Sequence, residues 1–139
     1  LDKGNFEEVL RTACAIRKIT EKYNVPLIID DNLDFLGFLT SALEKYFEVY
    51  TATGVKDALR LLEYQKVEAI CSDYNMKDGT GLDLLEDIRH KGISVPFLLM
   101  TCDDDYLIKQ QAQFYGGAYC CKTECNLITK IKALVNFEI

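Results

Sequence analysis

A chain of 139 residues and 15.8 kDa is the size of one domain, large enough to bury about two-thirds of its unfolded surface. Its 49% hydrophobic and 27% charged residues exclude disordered and collagen-like classes. A net charge of −6 and a pI near 4.8 leave no basic footprint for nucleic acid, and no apolar run approaches the roughly 20 residues of a membrane span.

Nothing reads as a signal peptide, and the first residue is Leu1 rather than Met, so the numbering is expected to begin inside a longer or engineered product. Phe6, Val9, Leu10, Ala13, Ile16 and Ile19 recur at helical spacing behind Asn5, a candidate cap. They predict a helical extension over 1–24 ahead of a domain over 25–139. Pro26 prevents the helix from resuming, and Leu27, Ile28 and Ile29 form a buried strand leading into Asp30, Asp31 and Asn32.

The units then alternate. Helices are predicted at Leu33–Tyr46, Val55–Gln65, Leu82–Arg89, Asp104–Tyr115 and Leu127–Val135, and strands at Phe47–Thr51, Val67–Ser72, Val95–Met100 and Ala118–Cys121. Strict alternation predicts an α/β fold, a doubly wound five-stranded parallel sheet with helices on both faces. No internal repeat, low-complexity tract or linker interrupts it.

The six cysteines, Cys14, Cys71, Cys102, Cys120, Cys121 and Cys125, lack zinc-ribbon or secreted-scaffold spacing and suggest reduced thiols in a cytoplasmic protein. Cys120 and Cys121 are successive in a strand and face opposite ways, which disfavours a metal site with Cys125. His90, the single histidine, reads as a solvated helix terminus beside Arg89 and Lys91.

The chemistry lies at the strand ends. Asp30 and Asp31 follow the first strand, Asp73 the third and Thr101 the fourth, and Lys122 ends the fifth. In a parallel sheet these ends share one edge, where ligands of such folds bind. Each residue has an ordinary explanation: Asp30, Asp31 and Asp73 as turn or cap residues, Thr101 as a helix cap, Lys122 as a strand-end charge reaching for water. Jointly, four strand ends meet one requirement. Two unit charges 4 Å apart repel by about 4 kcal/mol at an effective dielectric of 20, so clustered carboxylates need a cation beyond one Lys. Mg²⁺ suits oxygen ligands of this kind. A carboxylate so placed can act as a nucleophile toward a phosphoryl group, with Mg²⁺ and Lys122 stabilising charge on its oxygens and Thr101 donating to one. No His, Ser or Cys base is placed for acyl chemistry.

The blocks LIIDDN (27–32), DYNMKDGTGLDLL (73–85), PFLLMT (96–101) and AYCCK (118–122) resemble the response-regulator receiver family, the phosphoacceptor modules of two-component signalling. The resemblance implies a flavodoxin-like fold with strand order 2-1-3-4-5, extended here by the N-terminal helix. It also implies phosphorylation at Asp73, and Mg²⁺ held by Asp31 and Asp73 with Asp30 assisting and the backbone carbonyl of Asn75 completing the site. Thr101 and Lys122 would engage the phosphoryl oxygens, Tyr119 would be the aromatic switch residue coupled to Thr101, and Cys102 would keep access open. The implied function is phosphoryl transfer from a histidine kinase or phosphotransfer protein, switching the surface of the fourth helix, last strand and closing helix. The resemblance implies a signalling domain rather than an enzyme, with no nucleic acid or membrane partner of its own expected; self-association through the first helix, as a homodimer, stays open.

Three departures accompany the resemblance. Lys77 stands where the family usually has Pro, which should loosen that loop slightly. Thr123 stands where it usually has a cis-Pro, so the turn after Lys122 is either trans and rearranged or strained. The loop at Gly116 and Gly117 looks shortened. The run 1–29 also resembles a helix and strand of a thiamin phosphate synthase-type barrel, which keeps a recombined or designed chain open. The rival functions are a phosphorylation-independent interaction module, or engineered chimera, with a relic pocket, and, more weakly, a hydrolase using Asp73, for which no general acid is evident.

Overall fold

The computed structural model describes residue 9 and residues 25–102, 104–124 and 126–135. Apart from Val9, the helix expected over 1–24 lies outside the described residues, as do Cys14 and Cys125.

Strands β1 (Pro26–Ile29), β2 (Tyr50–Ala52), β3 (Ala69–Asp73), β6 (Phe97–Thr101) and β7 (Ala118–Cys121) form one parallel sheet in the order β2-β1-β3-β6-β7. This is the expected 2-1-3-4-5 order, with two extra strands counted along the chain. β4 (Asn75–Met76) and β5 (Gly79–Thr80) make a small antiparallel hairpin beyond the end of β3. Among the described residues, the helices that cover the sheet are α1 (Leu33–Leu43), α2 (Val55–Tyr64), α3 (Gly81–His90), α4 (Tyr106–Phe114) and α5 (Leu127–Val135).

Both faces of the sheet are buried, and the period-two alternation of each strand decides which core a residue joins. Ile28, Cys71, Leu98, Met100 and Cys120 point to α1 and α5, where they meet Leu36, Leu39 and Ile131. Leu27, Ile29, Ile70, Phe97 and Leu99 point the other way, to Leu84, Leu85, Ile88 and Ala112 of α3 and α4. Fully burying each large aliphatic chain stabilises the fold by about 1.5–3 kcal/mol. Cys120 is therefore core, while Cys121 stays half-buried.

Helix starts are chemically marked. Asn32 Oδ1 accepts from the amides of Asp34 and Phe35 at the head of α1, and Asp105 Oδ1 from those of Leu107 and Ile108 at the head of α4. Thr80 and Asp83 form a capping box on α3. α4 ends in a Schellman turn, with Gly116 at φ +72° and the Gly117 amide donating to the Ala112 carbonyl at 2.8 Å; this is how a connection of only Tyr115, Gly116 and Gly117 suffices before β7.

Some boundaries moved. α1 stops at Leu43 rather than Tyr46, and β2 begins at Tyr50 rather than Phe47. Phe47 is buried against α1 instead of pairing in the sheet. α4 begins at Tyr106, because Asp104 and Asp105 precede it and Asp105 is its cap. Among the described residues no helix is long and apolar enough to cross a membrane.

Candidate functional site

The parallel registers set the sheet edge. Ile29 pairs with Ser72, Asp73 with Met100, and Thr101 with Cys121, so the residues that end or follow β1, β3, β6 and β7 lie side by side. Asp30 follows β1, its amide donating to the Ala52 carbonyl at 3.1 Å. Asp73 and Thr101 are the last residues of their strands, and Lys122 follows β7 with its amide donating to the Thr101 carbonyl at 2.8 Å. Asp30 is fully buried, Thr101 nearly so, and Asp73 only 7% exposed.

The side chains converge. Carboxylate oxygens of Asp30, Asp31 and Asp73 lie within 4.8 Å of one another. Lys122 Nζ is 2.8 Å from Asp30 Oδ2 and 3.5 Å from Asp73 Oδ1, and 4.2 Å from the centre of the Phe35 ring. Asp30 Oδ1 accepts from the Asn32 amide at 2.9 Å, whereas the buried Oδ2 receives no well-directed hydrogen bond among the described residues beyond its ion pair with Lys122.

This arrangement carries electrostatic strain. Burial, reinforced by the neighbouring Asp30 charge, pushes the Asp73 carboxyl up to about 6, against the pull of Lys122. Burial would lower the Lys122 ammonium, but its close ion pair with Asp30 and the charge of Asp73 carry it above its ordinary value. Three carboxylates against one ammonium leave two negative charges uncompensated. A hard divalent cation matches both that surplus and the underused oxygen of Asp30, so the residues present fit Mg²⁺.

The remaining expected residues sit around this cluster. Asn75 is exposed on β4, two residues beyond Asp73. Cys102 is exposed immediately after Thr101. Tyr119 is half-buried on the α3–α4 side of the sheet, and its hydroxyl accepts from the amide of Asp105, the cap of α4, at 3.1 Å. His90 is exposed at the end of α3, edge-on to Tyr115.

Two features go beyond the sequence reading. Of the two alternatives for the turn after Lys122, the trans and rearranged one is found, since every described peptide bond is trans, and the turn is built around Glu124 in a way the sequence did not suggest. Glu124 Oε1 accepts from the Cys121 amide at 3.4 Å, while Oε2 pairs with Lys130 Nζ at 2.5 Å. Lys122 thus reaches the cluster without a proline. In the loop carrying Lys77, Asp78 accepts at Oδ1 from the Val55 amide (2.9 Å) and at Oδ2 from the Lys56 amide (3.0 Å), tying the hairpin to the start of α2 rather than leaving it loose. The signal was indirect: Gly54, just before α2, has no side chain to cap it.

Residues 27–122 match the response regulator receiver domain family. The chain belongs to that family. Among curated relatives, the heme response regulator HssR of Staphylococcus aureus is 28% identical over 91 residues, covering 65% of this chain and 40% of that protein. A probable cyclic di-GMP phosphodiesterase of Vibrio cholerae is 26% identical over 77 residues, 54% of this chain and 18% of that protein. The receiver domain thus spans well under half the length of these relatives. Among solved structures, a two-component response regulator from Clostridium difficile superposes with a TM-score of 0.73 at 27% identity, covering 80% of this chain and 94% of that one. A CheY-like receiver domain protein from Methanospirillum hungatei gives 0.76 at 23% identity, with 82% and 94% covered. Receiver domains are signalling modules, and the flavodoxin-like fold expected from the sequence is the one observed.

Proposed function

We propose that this receiver domain accepts a phosphoryl group on Asp73 from the phosphohistidine of a histidine kinase or phosphotransfer protein, in a two-component phosphorelay. The observation that carries the reading is the meeting of Asp30, Asp31 and Asp73 with Lys122 at one sheet edge. A deprotonated Asp73 oxygen attacks phosphorus in line; the O–P bond forms as the P–N bond breaks, and the P–N electron pair returns to the imidazole. Lys122 lies beside Asp73, where its ammonium would offset charge on the transferring oxygens, and Thr101, the last residue of β6, would donate to one of them. Asp30 orients Lys122. Asp30, Asp31, Asp73 and the carbonyl of Asn75 would hold Mg²⁺, which supplies further charge neutralisation when bound.

The aspartyl phosphate adds negative charge where Lys122 and Thr101 can meet it. The hydrogen bond from the Asp105 amide to Tyr119 connects that edge to the first turn of α4, so an inward turn of Tyr119 would free the cap of α4 and alter the surface of α4, β7 and α5. Incubation with Mg²⁺ and a small phosphodonor such as acetyl phosphate should add one phosphoryl group, detected by intact mass, and Asp73→Asn should abolish it. Continued labelling of that variant would discard Asp73 as the acceptor.

A further inference from the structure

The β4–β5 hairpin is held at both ends. At its base the Tyr74 amide donates to the Met100 carbonyl at 2.7 Å and the Gly81 amide to the Tyr74 carbonyl at 2.8 Å. There Gly81 approaches so closely that a Cβ on it would fall 2.3 Å from the Asp73 carbonyl oxygen. Between base and tip there are only two paired residues on each side, Asn75 with Thr80 and Met76 with Gly79. A ladder that short has little stability of its own.

The tip is fixed by Asp78. Its two oxygens take the first two amides of α2, Val55 and Lys56, so the hairpin caps a helix 22 residues before it in the chain. α2 has no cap of its own, since Gly54 precedes it, and an added Cβ at Gly54 would stand 2.7 Å from Asp78 Oδ1 and touch nothing else closer than Asp78's own carboxylate. The missing local cap and the reaching carboxylate are one arrangement. It joins the loop bearing Asn75 to the helix packed beside it.

We propose that Asp78 is a positioning residue for the phosphoacceptor site: by clamping the hairpin tip to the N-terminus of α2 it holds the Asn75 carbonyl where it can serve as a ligand to the metal. The inference rests on the Mg²⁺ reading of the carboxylate cluster and adds to it a residue outside that cluster. A mere helix cap stabilises the fold and leaves the metal affinity of the folded protein alone. A clamp changes that affinity even when stability is restored.

The two roles separate experimentally. Asp78→Ala and the milder Asp78→Asn, which keeps one acceptor oxygen, are compared with the double variant Asp78→Ala/Gly54→Ser, in which the serine caps α2 locally in the space the carboxylate vacates. Mg²⁺ affinity is read from amide chemical shifts of the folded proteins, and stability from thermal melts in EDTA. Asp78→Ala should bind Mg²⁺ about tenfold more weakly, as expected when a supporting contact to a ligand is lost, with Asp78→Asn in between. The double variant should regain the melting temperature but not the affinity. Unchanged affinity in Asp78→Ala, or affinity recovered together with the melting temperature, would overturn the proposal and leave only a cap. Failure of the unsubstituted protein to bind Mg²⁺ would instead remove the metal reading, and the clamp with it.

Discussion

In the proposed function Asp73 has to do two things that conflict: stay in a pocket nearly closed to water, and be charged. Burial and Asp30 together raise its carboxyl to about 6 from an ordinary value of 3.8. A metal ion bound through that oxygen must displace its proton below this value. Apparent Mg²⁺ affinity should therefore be about tenfold lower at pH 5 than at pH 7, with most of the change complete by pH 7. Titrations at pH 5, 6 and 7 check this, and Asp73→Asn, having no proton to displace at that position, should lose most of the dependence. A flat profile in the unsubstituted protein would show that Asp73 is ionised throughout.

Individual elements were legible in proportion to how local their causes are. β7 and α5 were bounded correctly because alternation, turn residues and apolar spacing all act within a few residues. The strand β2 was placed too early because Phe47 looks like strand material, yet it is spent on the core beneath α1, a choice made by tertiary packing. The hairpin was invisible because two residues per strand show no period. The same distinction governs the site: Asp30, Asp31, Asp73, Thr101 and Lys122 could be read because a parallel sheet aligns strand ends, whereas Asp78 acts on a helix far from it in sequence. Glu124 differs: its partners are close in the chain, but the course of the turn they share was left open by the missing proline. It supports the turn after Lys122 through the Cys121 amide and Lys130. Glu124→Ala should slow phosphorylation of Asp73 by up to about tenfold by loosening Lys122, with Mg²⁺ affinity little changed. Phosphorylation time courses at saturating Mg²⁺ check this; equal loss of affinity would mean that the turn shapes the metal site as well.

At the level of the whole molecule, the acidic edge is a local cost carried by two apolar cores. The shift of Asp73 fixes its sign. Because the folded form holds this proton more tightly than the unfolded chain, the metal-free protein is relieved of the strain at low pH and bears it fully above about pH 6. Removing the charge with Asp73→Asn should then stabilise the metal-free protein at pH 7, by about 1–2 kcal/mol once solvent at the pocket mouth is allowed for. That corresponds to about 3–6 °C in melting temperature for a domain of this size. Mg²⁺ should reverse the ranking in part: at ten times its dissociation constant it stabilises the unsubstituted protein by about 1.4 kcal/mol through mass action, while the variant, with one ligand charge fewer, gains less. Melts of both proteins in EDTA and across a Mg²⁺ series test this directly. The curves should converge as Mg²⁺ rises; a variant less stable than the unsubstituted protein in EDTA would show that Asp73 is held by favourable contacts and that the cluster is not poised for a cation.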